Sequence, residues 1–261
     1  IAWKQLEAGA VGMTCAKVSE AEVMARAGIQ EILIANQIVT PHKIARLVNL
    51  AAYTHVMVAV EDLANAEALS EAAQAKGVRL RTIIEVDVGM GRCGTAPGQA
   101  TLELARQMVT LPGLRFEGIM GYEGHMYGQP DPVAREALIR DALELVRSHV
   151  EALNEAGLPP AIVSTSGTAS VPVAAAMPFV TELQAGTYIF NDLHNEEFIP
   201  GHFRFALTLL TTVIAVKGRY AVADCGMKSL TNEFGPPVSV DGRIRAARLS
   251  EEHAILVGDG V

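Results

Sequence analysis

The stretch "IMGYEGHMYG" (119–128) brings a phenol, a carboxylate and an imidazole together among glycines. Tyr122, Glu123 and His125 follow directly on an apolar run ending at Met120, where a strand would stop. Alone, His125 reads as a structural histidine. With Tyr122 three residues before it and Gly124 between, an acid/base role gains ground. A second group lies further along. "STSGTAS" (164–170) and "AGTY" (185–188) are small, hydroxyl- and glycine-rich turns after two consecutive apolar runs. Glycine lets a backbone approach closely and Ser/Thr hydroxyls add donors, which suits a phosphate. Two ordinary strand-to-helix turns with serine N-caps would look the same. Third, Arg92 follows "VDVGMG" directly. It reads as a surface arginine, a partner for Asp87, or a fixed guanidinium holding an anionic ring oxygen.

These groups need elements to place them. One alternation recurs along the chain: a short Val/Ile-rich run, then polar or glycine residues, then an Ala/Leu/Glu-rich amphipathic segment. The runs are 11–17, 31–36, 55–61, 79–89, 115–122, 161–167 and 179–186. They are apolar on both faces, as parallel strands covered by helices should be. The segment 130–157 predicts a helix capped by Asp131, opened by Pro132 and ended by Gly157, with a stripe of Leu138, Ala142, Leu145, Val146, His149 or Val150, and Leu153. The segment 96–113 repeats the scheme, with Pro97 early. A helix opening at the first residues implies a strand before it. That strand and the seven runs make the eight of a (β/α)8 barrel. An open doubly wound sheet is the weaker alternative, because no GxGxxG follows the first run. The expected fold is therefore an α/β, TIM-type (β/α)8 barrel over 1–202, its first strand missing. From about residue 203, strand-like runs joined by short turns predict a truncated all-β domain over 203–261, with a hairpin at Asp241–Gly242.

Catalytic groups of a barrel sit at the C-terminal strand ends. Besides the groups above, those ends offer Lys17, Asn36, Gln37, Asp87 and Asp192. His42 and Lys43 read as helix-opening residues after Pro41. Glu251, Glu252 and His253 are contiguous and do not converge as metal ligands.

Composition narrows the classes further. A net charge of -8 argues against nucleic-acid or anionic-membrane partners. The three cysteines are far apart, with no CxxC pair, which fits a reducing cytoplasm. No apolar run approaches the roughly 20 residues of a membrane span. The chain opens on Ile1 inside a helix and stops on a strand, so a longer protein is expected.

The strings "TCAKVSEAEVMARAGIQEILIANQIV" (14–39), "EVDVGMGRCG" (85–94), "MGYEGHMYG" (120–128) and "LSEEHA" (249–254) together resemble one family in order along nearly the whole chain. It is the D-threonine aldolase and D-serine dehydratase group of fold-type III pyridoxal-phosphate (PLP) enzymes, related to alanine racemase. The resemblance implies a PLP-binding barrel followed by a β domain, a homodimer, and a small D-β-hydroxy-α-amino acid as substrate. It implies a Schiff-base lysine on the first strand, upstream of Ile1. It also implies a divalent metal (Zn, Mn or Mg) held by ligands beyond Val261, so that these residues alone would be inactive. It places Arg92 near the PLP ring oxygen and Tyr122 near the ring nitrogen. Ser166, Gly167, Thr168, Gly186, Thr187 and Tyr188 would bind the phosphate, and His125 would act as acid/base on the hydroxyl side of the substrate. Glu123 would point away or orient a neighbour. The segment "NDLHNEEFIPGHF" (191–203) departs from the pattern and has no role assigned. An amino-acid racemase on the same scaffold, a non-catalytic PLP-homeostasis protein and a phosphate-sugar barrel are the competing readings.

Overall fold

The computed structural model describes residues 1–259 and 261, which fall into two compact units, Ile1–Gly186 and Thr187–Val261. The first unit carries seven parallel strands: β1 (Met13–Cys15), β2 (Glu31–Gln37), β3 (His55–Val60), β4 (Leu80–Glu85), β5 (Leu114–Met120), β6 (Ile162–Thr165) and β7 (Glu182–Leu183). They lie side by side in chain order, β1 to β7, which is the order of a (β/α)8 barrel and not of a doubly wound sheet. α1 (Ala2–Glu7) precedes β1, and between the strands run α2 (Val18–Arg26), α3 (Pro41–Ala51), α4 (Leu63–Lys76), α5 (Gln99–Met108), α6 (Pro132–Glu155) and α7 (Val171–Ala174). Among the described residues no helix is long and apolar enough to cross a membrane.

The strand sequences explain the two faces. Ile32, Ile34, Val56, Val58, Val60, Leu80, Ile84, Ile119 and Val163 join the helices in one large core. The alternate residues Leu33, Met57, Ala59, Ile83 and Met120 form a separate, thinner cluster on the inner face. Both faces are buried, so the runs are nearly continuous in apolar residues. At the N-terminal end of the inner face stand charged residues instead. Arg81 bonds Glu117 (2.8 Å) and Glu31 (2.6 Å), Arg115 bonds Glu117 (2.7 Å), and His55 bonds Glu31 (2.6 Å).

The helix ends follow the residues expected of them. Asp62 accepts the Asn65 amide and Asp131 the Ala134 amide, each at 2.8 Å. Gly77 and Gly157 end α4 and α6 with φ of +73° and +74°, where a side chain would be strained. Three expectations need correction. The buried stripe of α6 is Ile139, Ala142, Leu143, Val146, His149 and Leu153, with Leu138 and Leu145 at its margin. His149 earns its place by bonding: its Nδ1–H donates to the Leu145 carbonyl (2.7 Å), leaving Nε2 to accept the Gly98 amide (2.9 Å). Pro97 precedes α5 instead of entering its first turn, because Gly98 is the N-cap.

The third correction falls in the second unit, which holds α8 (Leu193–Phe198) and four antiparallel strands: β8 (Val213–Val216), β9 (Ala221–Ala223), β10 (Ile244–Leu249) and β11 (Ala254–Gly258). The order is β10-β11-β9-β8. The apolar run from Phe205 was expected to be strand throughout, but only its last four residues are. Leu207, Leu209 and Leu210 are exposed and form no ladder among the described residues. A turn does form at Asp241–Gly242, closed by the Ser239 amide on the Ile244 carbonyl (2.7 Å).

Candidate active site

The C-terminal ends of β2 to β6 carry polar residues in place of the apolar inner layer. At β4 the chain leaves through Glu85 and turns over residues 86–95. Asp87 Oδ1 accepts the amides of Gly89 and Gly91, both at 3.0 Å. Asp87 is thus committed to shaping the turn, and Arg92 is released to another neighbour. Its guanidinium lies over the Tyr122 ring, 5.7 Å from the centroid.

Tyr122 leaves the end of β5 and is held in a slot between two glycines. A Cβ on Gly124 would overlap the Cε1 edge, 2.5 Å from Cζ and 2.8 Å from the hydroxyl; a Cβ on Gly167 would stand 3.0 Å from Cε2. Burial raises the Tyr122 pKa, nearby Glu123 adds to this and Arg92 opposes it, so the phenol is neutral at physiological pH. The chain then makes a 3-10 turn, Gly124–Gly128, anchored by buried Met126. His125 sits on that turn against Gly89, whose Cβ would come within 2.9 Å of Cε1 and 3.0 Å of Nε2. Its Nδ1 is buried without a hydrogen-bond partner.

Glu123 does not point away. It is 1% exposed, and its Oε2 accepts the Ser166 amide at 3.3 Å, while Oε1 is buried without a partner. Burial raises its pKa, with the Ser170 hydroxyl and the Ser166 amide opposing. The β6 turn it reaches is built from small polar residues. Ser166 holds φ +77°, its hydroxyl donates to the Gly167 carbonyl (2.8 Å), and the Gly167 amide donates to Ser170 Oγ (3.1 Å). The structure thus brings together Arg92, Tyr122, His125 and the turn 166–168 at the ends of β4, β5 and β6. Gly186 closes the first unit, three residues after β7. Thr187 and Tyr188 open the second unit in a short 3-10 turn, and Tyr188 packs on Phe203 at 5.6 Å.

The sequence did not disclose a carboxamide–carboxylate set in the same end of the sheet. Gln37 Nε2 donates to Glu85 Oε2 (2.5 Å) and lies 3.4 Å from Glu61 Oε2, which also accepts the Gly94 amide. Burial raises the Glu85 pKa, while Gln37 and Arg92 lower it. The available signal was register: Glu85 ends β4 and Glu61 directly follows β3, both in step with the inward-facing residues. Ser164 donates to Glu182 (2.6 Å) and accepts from Gln184 (2.8 Å).

Other residues are placed away from this chemistry. Lys17 caps α2, and His42 and Lys43 stand exposed in the first turn of α3. Glu252 pairs with Lys228 at 2.6 Å. In the 191–203 segment Asp192 caps α8 through the Asn195 amide (2.7 Å), Glu196 takes the Gly201 amide (2.7 Å), and His194 stacks on Phe234 at 4.4 Å. Among the described residues no three His, Cys, Asp or Glu side chains converge as a metal site.

Two family models match the chain. "Alanine racemase, N-terminal domain" covers residues 1–193 and "Putative serine dehydratase domain" covers residues 206–260. The chain is 37% identical over 266 residues to 3-hydroxy-D-aspartate aldolase of Paracoccus denitrificans (strain Pd 1222), covering 97% of this chain and 68% of that protein. It is 36% identical over 261 residues to D-threonine aldolase of an Arthrobacter species, covering 98% and 69%. The crystal structure of D-threonine aldolase from Filomicrobium marinum superposes with a TM-score of 0.94 at 34% identity, over 99% of this chain and 71% of that one.

Proposed function

The chain belongs to the family of the alanine racemase N-terminal domain, and from that premise we propose that it carries the cofactor cradle of a PLP-dependent lyase for D-β-hydroxy-α-amino acids. The observation that carries this reading is the convergence of Arg92, the Tyr122 ring and the 166–168 turn at three successive strand ends.

The residues fit the cofactor. Gly124 and Gly167 keep open the two edges of the Tyr122 ring, and buried Nδ1 of His125 and Oγ1 of Thr165 await polar partners on the same loops. Bound there, PLP supplies an electron sink for breaking a bond at the substrate α-carbon. Arg92 holds the ring oxygen by charge. Tyr122, kept neutral by burial, offers the ring nitrogen a hydroxyl and not a carboxylate, which leaves that nitrogen less protonated. The 166–168 turn holds the phosphate, with Gly186, Thr187 and Tyr188 assigned to it on the sequence resemblance. His125 moves the proton of the substrate β-hydroxyl.

Loss of that proton with cleavage of the Cα–Cβ bond, followed by return of a proton to Cα, gives glycine and an aldehyde. Removal of the α-proton with departure of the hydroxyl as water gives an unsaturated amino acid, which water then hydrolyses to a keto acid and ammonia. Aldol cleavage is the preferred reading because both relatives above are aldolases. The second matched domain favours dehydration as the alternative. A divalent metal with ligands outside this chain, a cytoplasmic location, a homodimer and a domain boundary near 202/203 belong to the same proposal.

The test is product analysis on the full-length protein, with PLP and metal supplied. D-threonine and D-3-hydroxyaspartate should yield glycine, and D-serine should show whether keto acid and ammonia appear. Consumption of none of the three removes the lyase reading. Interconversion of enantiomers without cleavage would establish a racemase instead.

A further inference from the structure

Glu123 is the residue of the opening stretch for which the lyase reading has no use. It is nevertheless almost wholly buried, at 1% exposure. Such burial keeps it from the substrate, and its contact lies elsewhere: Oε2 accepts the amide of Ser166, 43 residues away in sequence on the neighbouring strand end.

Ser166 is an unusual residue to find there. It holds φ +77°, one of two non-glycine residues with positive φ among those described. A residue with a Cβ rarely adopts that conformation unless its surroundings impose it. The surroundings here are a set of bonds around one turn. Glu123 fixes the Ser166 amide, Ser166 Oγ lies 3.0 Å from Ser170 Oγ, and Ser170 Oγ accepts the Gly167 amide at 3.1 Å. Ser166 is itself 2% exposed, with its hydroxyl turned onto the Gly167 carbonyl. Its part is therefore to set the direction of Gly167 and Thr168.

Resting on the cofactor reading above, we propose that Glu123 is a positioning residue for the phosphate turn: it clamps the Ser166 amide, holds Ser166 in its left-handed conformation, and so fixes Gly167 and Thr168 for the cofactor phosphate. The raised pKa of its carboxyl agrees with this role, since a less readily charged group opposes a nearby anion less. Tyr122 gains from the same clamp, because Gly167 borders its ring.

The test compares PLP with pyridoxal, which has the same ring and aldehyde and lacks the phosphate. Dissociation constants for both are measured by absorbance on the full-length protein and its variants. Wild type should prefer PLP. E123L should lose about tenfold or more in PLP affinity (roughly 1.4 kcal/mol) while pyridoxal affinity holds. E123Q keeps an oxygen for the Ser166 amide and should retain most of the preference. Adding S166G to E123L should restore part of it, because glycine takes φ +77° without strain.

If E123L does not accumulate as soluble protein, E123D carries the same comparison, withdrawing the carboxylate by one carbon. An unchanged PLP-to-pyridoxal ratio in E123L or E123D overturns the proposal, as does an equal loss of both ligands, the mark of general structural damage. A wild type with no preference for PLP would instead remove the cofactor reading on which the proposal stands.

Discussion

Replacing Gly124 by alanine should separate the Tyr122 slot from the stability of the fold. Gly124 lies in the 3-10 turn 124–128 with an ordinary negative φ, so alanine meets no backbone strain there. Its Cβ would nonetheless overlap the Tyr122 ring, at 2.5 Å from Cζ and 2.8 Å from the hydroxyl. Carbon pairs pack at about 3.5–4.0 Å, so the ring must shift by roughly 1 Å. It cannot slide freely along its own plane, because Gly167 borders the opposite edge. A displacement of about 1 Å in a positioning group can cost on the order of 100-fold, or about 2.7 kcal/mol of transition-state stabilisation. Glycine-to-alanine changes at compatible backbone positions stabilise by about 0.4–1 kcal/mol, which offsets part of the steric cost to folding. We therefore expect G124A to lose 10- to 100-fold in kcat/KM for D-threonine, to bind PLP more weakly, and to melt close to wild type. Gly128, at the end of the same turn, supplies the control: a Cβ there meets nothing within 4 Å. G128A should match wild type in activity, cofactor affinity and melting. If the two variants behave alike, Tyr122 is not held as described, and its assignment to the cofactor loses its geometric support.

Other perturbations read other parts of the structure. H149A removes the acceptor of the Gly98 amide and opens a cavity under α6, and should cost about 2–4 kcal/mol in urea unfolding; a change under about 0.5 kcal/mol would mean that bond is dispensable. G118A places a Cβ onto the Ile162 carbonyl oxygen at φ +155°, where β5 pairs with β6, and should leave little soluble protein; normal yield and melting would contradict that register. E85Q should stabilise the protein at neutral pH. Glu85 has a raised folded pKa, so its contribution is fully present below the unfolded value of about 4.3 and is lost as pH rises through the folded value. The melting advantage of E85Q should therefore open between acid and neutral pH; an advantage growing toward acid would reverse the assignment.

The order of elements was legible because the strands are buried on both faces and the helices carry their own punctuation. Val56 to Val60 are all buried, and Asp131, Pro132 and Gly157 mark α6 without reference to the rest of the chain. What failed was long-range in origin. The α6 stripe shifted to Ile139 and Leu143 because the facing surface decides which residues near a stripe are covered. The Phe205 run stayed irregular over most of its length because β propensity needs a partner strand. In the site, Arg92, Tyr122 and the 166–168 turn were visible through residue type and strand-end position. The pairings of Glu123, Gln37, Glu61 and Glu85 were not: Gln37 stood out only as a strand-end residue and Glu123 only as pointing away or orienting a neighbour, and neither periodicity nor spacing encodes partners distant in sequence.

The inner face of the sheet is electrostatically polarised along the strands, and this bears on where chemistry belongs. At its N-terminal end every carboxylate has a cation. Burial works against the charge of Glu31, yet His55 and Arg81 outweigh it and the pKa falls; the carboxylate partners outweigh burial for Arg81 and its pKa rises. Both charged forms are stabilised, as a structural network requires. At the C-terminal end the balance inverts. Burial dominates at Glu85 and Glu123, both pKa values rise, and the bonds from Gln37 and Ser166 only partly compensate. Three strand residues separate Arg81 from Glu85, and the thin apolar layer around Ile83 and Met57 lies between the two ends. A sheet selected for stability alone would have little reason to bury carboxylates outside any ion pair at one end after pairing them at the other. Those carboxylates cost stability where Arg92, Tyr122 and the 166–168 turn converge, which is the expected signature of a site whose polar groups are arranged for a ligand.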